Sequence, residues 1–462
     1  MKEKKVKAPN PNKIGVVKFM GWQSRGASLA CITIVMGYLM IFCTDTLGLS
    51  AGVVGTLMMV SKVFDGVSDF IACYIVDNTR TKWGKGRPYE FCIIGVWVCT
   101  MLLFYTPQGW STVVKCIWVF VMYTMVFSVF STLLFSAQTP YMIRAFDDNP
   151  QKIAKVGALG GIVIMILAVV VSVSFPVLMG KMATSPQGWR TLITIYALPL
   201  MVIGMFRFIL VKENPKIDLA AGESKVKVRD IVTCMRKNKY VWLFAGMVGT
   251  YTVTTGFGAA SYYFTYVVGD IKLMGVITML GVVTLPVMFV FPALMKKFSA
   301  SQMIMIGAGI GAVGYLILFL AKANMPMLVA GTILMGIGQF PVAYLQANII
   351  MQLADYNEFI GLPRMDSSVG VVAGALSKVG AGIGSGITGL LLGVAGYAGA
   401  AAVQSDGAIL AIRALYSIAP MICVLLMGFF AIKMQPLDKK GQEITAALEE
   451  KRAKALKAVQ NA

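Results

Sequence analysis

Long apolar runs, each about 18 to 28 residues and each closed by a short polar turn, recur along the whole 462-residue chain. A run of that length reads as a helix crossing a bilayer. Within lipid the backbone must satisfy its own hydrogen bonds, and a helix does so inside one segment. Hydrophobic residues make up 57% of the chain and charged residues 13%, more apolar surface than a water-soluble fold of this length can hide. The alternation expected of a β-barrel is absent. The class is therefore an all-α polytopic membrane protein. The start MKEKKVKAPNPNK is basic, but no small-residue cleavage pattern follows, so no removable signal peptide is expected.

Twelve spans are expected. Six fall at about Gly26–Thr44, Gly52–Val76, Tyr89–Tyr105, Val113–Pro140, Val156–Met179 and Thr191–Val211. Six more fall at about Tyr240–Val268, Gly275–Met295, Met303–Ala321, Met327–Leu353, Val369–Gly396 and Ala408–Met434. The polar stretch Lys212–Lys239 divides them, giving an N-terminal six-helix bundle (1–211), a cytoplasmic central loop (212–239), a C-terminal bundle (240–434) and a tail (435–462). The tail KKGQEITAALEEKRAKALKAVQ reads as an amphipathic helix, solvated or lying on a surface. Glycines at short intervals in GVVAGALSKVGAGIGSGITGLLLGVAGY permit close helix contact.

The net charge of +20 suggests a nucleic-acid partner until its distribution is read. Lys and Arg gather in the N-terminal tail, the even-numbered turns, the central loop and the C-terminal tail, while the odd-numbered turns are nearly free of them. That is the positive-inside pattern, with both termini cytoplasmic and the basic face against anionic lipid. No nucleic-acid partner is expected. The eight cysteines show no CxxC spacing and read as small core residues. With no histidine, imidazole metal sites and histidine proton relays are excluded, and no catalytic cluster for a membrane enzyme is left.

One stretch, SKVFDGVSDFIACYIVDNTRTKWGKGRP (Ser61–Pro88), breaks the apolar pattern. Its first half carries Lys62, Asp65 and Asp69, which offsets of three and seven residues place on one helix face. A carboxylate in hydrocarbon costs roughly 3 kcal/mol or more, so two together require compensation. Lys62 offsets one charge. A bound cation offsets the other, and a purely structural ion pair with Lys62 is the alternative. The second half is a basic turn with Gly84, Gly86 and the helix-stopping Pro88.

FDGVSDF followed by DNTRTKWGKGRP resembles the second-helix motif of the glycoside–pentoside–hexuronide:cation symporters, the melibiose permease family. Further family features are resembled by YLMIFCTDTLGLSAGVVGTL, by ADYNEFIGLPRMDSS and by Lys378 opening KVGAGIGSGITGLLLGVAGY, so both halves are covered. The resemblance implies the major facilitator fold, twelve transmembrane helices in two six-helix bundles with substrate between pseudo-symmetric halves. It implies that Asp65 and Asp69 bind the coupling Na⁺, Li⁺ or H⁺, with Ser68 where the permease has an asparagine. Hard cations take oxygen ligands, which suits this set. Lys378 matches the helix-eleven lysine near the family's cation and sugar sites; snorkelling to the interface is its alternative.

The chain departs from the melibiose permease at the sugar. Leu29 and Thr132 stand where acids of helices one and four hold sugar hydroxyls, and a glycine near Gly160 replaces the helix-five arginine. Each carboxylate accepts two hydroxyl donors, so the ligand is not expected to be held as melibiose is. Polar candidates left are Gln23, Ser24, Arg25, Ser28, Thr132, Ser136, Gln138, Gln339 and Gln346. Of these, Arg25, Thr132 and Gln339, together with Lys378, are the substrate-binding set, and Arg25 is equally an interfacial anchor. Lys62, Arg80, Lys85, Arg87, Asp355 and Arg364 are the coupling or gating set; plain positive-inside topology accounts equally well for the basic turn.

The expected function is cation-coupled import of a sugar, glycoside or sugar acid by alternating access in a bacterial inner membrane. Lys62, Lys378, Asp65 and Asp69 sum to zero, and a bound monovalent cation leaves a positive surplus that favours an acidic sugar such as a hexuronide or sulfonated sugar. A neutral glycoside suits instead if Lys378 pairs with an aspartate throughout. A transporter of a non-sugar organic solute and a non-transporting membrane sensor are the alternatives. No cofactor is expected beyond the coupling ion, Na⁺ or H⁺. The partners are the substrate, that cation and the bilayer, with the chain a monomer.

Overall fold

The computed structural model describes residues 14–79, 81–147, 150–214, 236–280, 290, 293–295, 297–362, 366–399, 401 and 403–460. Among these residues the regular structure is helical, apart from one isolated bridge between Thr81 and Gly84. Nine helical stretches among them are long and apolar enough to cross a membrane. The helix Ala51–Asn78 is 28 residues long and carries Lys62, Asp65 and Asp69. The chain divides into two compact units: 1–42 with 64–222, called here the N-terminal unit, and 43–63 with 223–462, the C-terminal unit. The division runs through Ala51–Asn78.

The first helix, α1 (Val16–Met36), begins well before the expected Gly26 because its cations find partners inside the protein. Lys18 Nζ donates to the Ala145 carbonyl, and Arg25 pairs with Glu90. After α2 (Ala51–Asn78), Pro88 sits early in a 3₁₀ turn, Arg87–Phe91, that leads into α3 (Cys92–Phe104). Ser111 caps α4 (Thr112–Thr124), which widens into a π-helical segment, Met125–Ser131, before α5 (Thr132–Ser136) and α6 (Gln138–Ala145). Two long helices, α7 (Pro150–Met182) and α8 (Pro186–Leu210), complete the N-terminal unit. Trp22 makes edge contacts with Tyr141 and Phe146, each at 5.2 Å between centroids, and Val156 and Val211 close that cluster.

The basic turn is built around a carboxylate. Glu213, just past α8, accepts the backbone N–H groups of Lys85 (2.8 Å), Gly86 (2.7 Å) and Arg87 (2.5 Å). Gly84 takes φ of 115°, and a Cβ there would fall 2.1 Å from the Glu213 carboxylate, so side chain and conformation both require glycine. The Arg87 guanidinium donates to the Phe208 carbonyl (3.0 and 2.8 Å) and lies over the Phe208 ring.

The C-terminal unit contains α9 (Lys239–Gly256), α10 (Lys272–Leu280), α11 (Ala300–Ala321), α12 (Met325–Phe359), α13 (Asp366–Val394), α14 (Asp406–Tyr416) and α15 (Ile418–Gln460). The rest of the expected eighth span lies mostly outside the described residues. The glycines of α13 serve two neighbours. Gly380 and Gly384 meet the backbone of Gly249, Val253 and Gly256 on α9, while Gly382, Gly386 and Gly389 meet Lys62, Met59 and Gly55 on α2. A Cβ on Gly389 would lie 2.8 Å from the Gly55 Cα, so backbones approach here as only glycine allows.

An internal repeat shows in the first spans of the two halves. Each ends in a three-residue helical turn, Leu39–Ile41 or Ala260–Tyr262, and then a π-helical segment, Phe42–Thr46 or Tyr263–Val268. The tail is not solvated on all sides. It continues the last helix, with Leu437, Ile444 and Leu448 buried, while Asp438 accepts from the Ser301 amide and the Gln352 side chain. Seven cysteines are free thiols, and Cys234 lies outside the described residues.

Glu213→Ala strands three amide donors, so it should lower stability by about 2–4 kcal/mol while Glu213→Gln recovers part of that loss. Thermal unfolding of the purified protein in detergent checks this; equal melting of all three forms would contradict it.

Candidate functional site

The helix-two acids sit where the sequence puts them, on one face of an unbroken α2. Asp65 is 4% exposed, and Asp69, one turn on, is half-buried. The Thr132 hydroxyl, at the head of α5, lies 3.4 Å from Asp65 Oδ1, so a cation candidate and a substrate candidate come together. The π-helical segment makes that placement possible: Ser131 and Thr132 bond back to the carbonyls of Val126 (2.7 Å) and Phe127 (3.1 Å), five residues earlier. Ser68 donates its proton to the Asp65 carbonyl (3.0 Å), which leaves its lone pairs to accept or to ligate. Among the described residues no three His, Cys, Asp or Glu gather as a metal site. Two carboxylates with hydroxyl oxygens form a small hard-donor set, suited to a monovalent cation or a proton.

In the C-terminal unit, Gly382 accommodates the stem of Lys62, one helical turn from the half-buried Lys378. The Gln339 amide donates to the Tyr315 hydroxyl, and both line a cavity of about 270 Å³ with Thr254, Thr255 and Tyr416. Asp355 is half-buried near the end of α12. Arg80 and Arg364 lie outside the described residues, and Lys85 contributes its backbone amide to Glu213.

Arg25 is no exposed anchor. It is 2% exposed, donates to Glu90 Oε1 (2.9 Å) and to the Leu134 carbonyl (2.8 Å), and reaches the Gln138 amide oxygen. Arg207 joins the same group, donating to Gln138 Oε1 (2.9 Å), with its guanidinium 3.2 Å over Trp22 and its Nε 3.7 Å from Glu90. Sequence reasoning missed Glu90 and Arg207. The available signal was an ionisable residue within an apolar run, YEFCII for one and GMFRFIL for the other. Where the melibiose permease has its helix-five arginine, a Cβ on Gly160 would lie 2.4 Å from the Gln23 amide, so Gln23 fills that space. Ser28 is committed to structure, donating to the Leu200 carbonyl and accepting from Trp97.

A second missed group lies at the end of the first span. Asp45 accepts from Thr44 (2.7 Å), Tyr266 (2.5 Å) and Tyr397, and Thr44 also meets the Tyr262 hydroxyl at 3.0 Å. Burial, and then the Asp45 charge, holds the Tyr397 phenol far above its ordinary pKa, so it stays a donor. These bonds fasten residues Thr44 and Asp45 to the rest of the C-terminal unit.

A family profile described as MFS/sugar transport protein matches residues 27–439. The isoprimeverose transporter of Lactiplantibacillus pentosus is 28% identical over 433 residues, covering 91% of this chain and 88% of its own. The glucuronide carrier protein homolog of Escherichia coli (strain K12) is 24% identical over 425 residues, covering 90% and 91%. Among solved structures, a bacterial homolog of the human lysosomal transporter Spinster, inward-facing and unoccupied, superposes with a TM-score of 0.68 at 13% identity, covering 92% of this chain and 97% of that one. That likeness shows the fold, and the family profile names it as that of the major facilitators. The chain belongs to the MFS sugar transport proteins, within the glycoside–pentoside–hexuronide:cation symporters of the major facilitator superfamily.

Proposed function

We propose that this multi-pass inner-membrane symporter carries an acidic sugar or glycoside, such as a hexuronide or sulfonated sugar, inward with Na⁺ or H⁺. The observation that carries the reading is the nearly inaccessible Asp65 carboxylate on a membrane helix, with Asp69 one turn on and the Ser68 and Thr132 hydroxyls beside it. A carboxylate in a membrane helix carries a desolvation cost that a bound cation or proton lowers. Thr132 touches that carboxylate and is itself a substrate candidate, and joint occupancy lets each ligand raise the other's affinity. Lys378 and Gln339 serve the substrate from the C-terminal unit. The relatives named an isoprimeverose transporter and a glucuronide carrier support a sugar or glycoside as the substrate.

Lys62, Lys85, Arg87 and Asp355 act in coupling or gating in this reading, with Arg80 and Arg364. Both termini face the cytoplasm, as the distribution of Lys and Arg indicates. One chain holds both halves of an alternating-access device, which supports a working monomer.

Asp65→Asn and Asp69→Asn should each abolish cation-driven accumulation in proteoliposomes while the protein still inserts and exchanges substrate at equilibrium. Uphill transport by both variants would place coupling elsewhere. Lys378→Gln should weaken uptake of an acidic glycoside by about tenfold or more and of its neutral counterpart far less. Equal losses would assign Lys378 to the ion or to the conformational change.

A further inference from the structure

A cavity of about 400 Å³ opens inside the N-terminal unit, lined among others by Gln23, Arg25, Leu29, Thr33, Gln138 and Arg207. Its volume is in the range that takes small molecules, about 300–1,000 Å³. Its wall carries two guanidinium groups against one carboxylate. Arg25 and Arg207 are 2% and 1% exposed, Glu90 is fully buried, and the three together leave one positive charge in excess. Both arginines share the same oxygen of that carboxylate, Oε1, at 2.9 and 3.7 Å. Arg25 Nε, Arg207 Nε and Nη2, and Glu90 Oε2 are buried and make no hydrogen bond among the described residues. Such groups are costly unless something completes them.

What stands in for the second counter-charge is neutral. Gln138 Oε1 accepts from Arg25 and, at 2.9 Å, from Arg207. Gln138 is half-buried and borders the cavity, so its side chain has room to turn aside. We propose that this cavity is a subsite for the anionic group of the substrate, a carboxylate or sulfonate, which displaces the Gln138 amide and takes charge-assisted hydrogen bonds from Arg25 and Arg207. A planar guanidinium matches such a group with paired donors, and Trp22 stacked on Arg207 holds that plane in place. Leu29 and Thr33, on successive turns of α1, then face the uncharged remainder of the ligand. The inference rests on the acidic-substrate reading above. It adds Arg25 and Arg207 to the residues that recognise charge.

The test uses the full chain, with methyl β-D-glucuronide, methyl β-D-glucoside and sodium sulfate as probes. Thermal-shift titration should show the glucuronide stabilising the wild type at concentrations where sulfate does not. Gln138→Glu places a carboxylate where the anion is expected. It should keep or raise the melting temperature and lower the preference for glucuronide over glucoside by at least about tenfold. Arg207→Gln should lower that preference likewise if it folds; Gln138→Glu decides the matter if it does not. An unchanged preference in Gln138→Glu, or sulfate competing as well as the glucuronide, overturns the subsite. Cation-driven uptake of the glucoside with no wild-type preference for glucuronide also overturns it and leaves the symport reading standing. Tight glucuronide binding that Gln138→Glu abolishes, with no cation-driven uptake, supports the subsite and removes symport instead.

Discussion

Charge buried in a low-dielectric interior must be answered locally, and the described structure is arranged around that constraint. Glu213 is met by three backbone amides, Asp45 by three hydroxyls, and Glu90 by two arginines. Each answer joins segments far apart in sequence: the basic turn to the end of α8, the end of the first span to the tyrosines at 266 and 397, and α1 to the 3₁₀ turn before α3 and to α8. These bonds therefore hold the fold as well as the charge. The Thr132 hydroxyl likewise reaches Asp65 Oδ1, at 3.4 Å, between α2 and α5.

Close packing adds a second constraint of opposite character. The glycine faces of α13 bring it against α9 and the first half of α2, leaving room for the Lys62 stem and the Met59 side chain. Contacts of this kind are tight yet have few rotamers to unlock, so they separate at less cost than a seam of interdigitated leucines. The π-helical segments lie at the ends of the first span in each half and in the fourth span, where helices can change pitch. An alternating-access transporter needs both properties, firm contact in each state and low resistance between states.

Much of this was legible in the sequence. The face of Lys62, Asp65 and Asp69 followed from spacing alone, since a helix turns charged residues together wherever they stand three, four or seven apart. Close contact along the glycine-rich eleventh span followed in the same way, though which neighbours it met did not. Arg25, Glu90 and Arg207 were harder. Each lies near the end of an apolar run, where a charge is read as a topology signal, and their pairing joins residues 65 and 182 positions from Arg25. The early start of α1 was missed for the same reason, because hydropathy counts Lys18 and Arg25 as exposed when the fold has supplied their partners. The tail reads from sequence as an amphipathic helix, solvated or lying on a surface, and Leu437, Ile444 and Leu448 form its buried side.

Calorimetric titration of substrate with and without the coupling cation, and of cation with and without substrate, tests the account most directly. Linkage requires that each ligand raise the other's affinity by the same factor, about 5- to 150-fold for a typical coupled pair. The account predicts equal factors in that range for the wild type and a factor near one in Asp65→Asn. Substrate affinity that ignores the cation in the wild type, or reciprocal coupling that survives loss of the Asp65 charge, would contradict it.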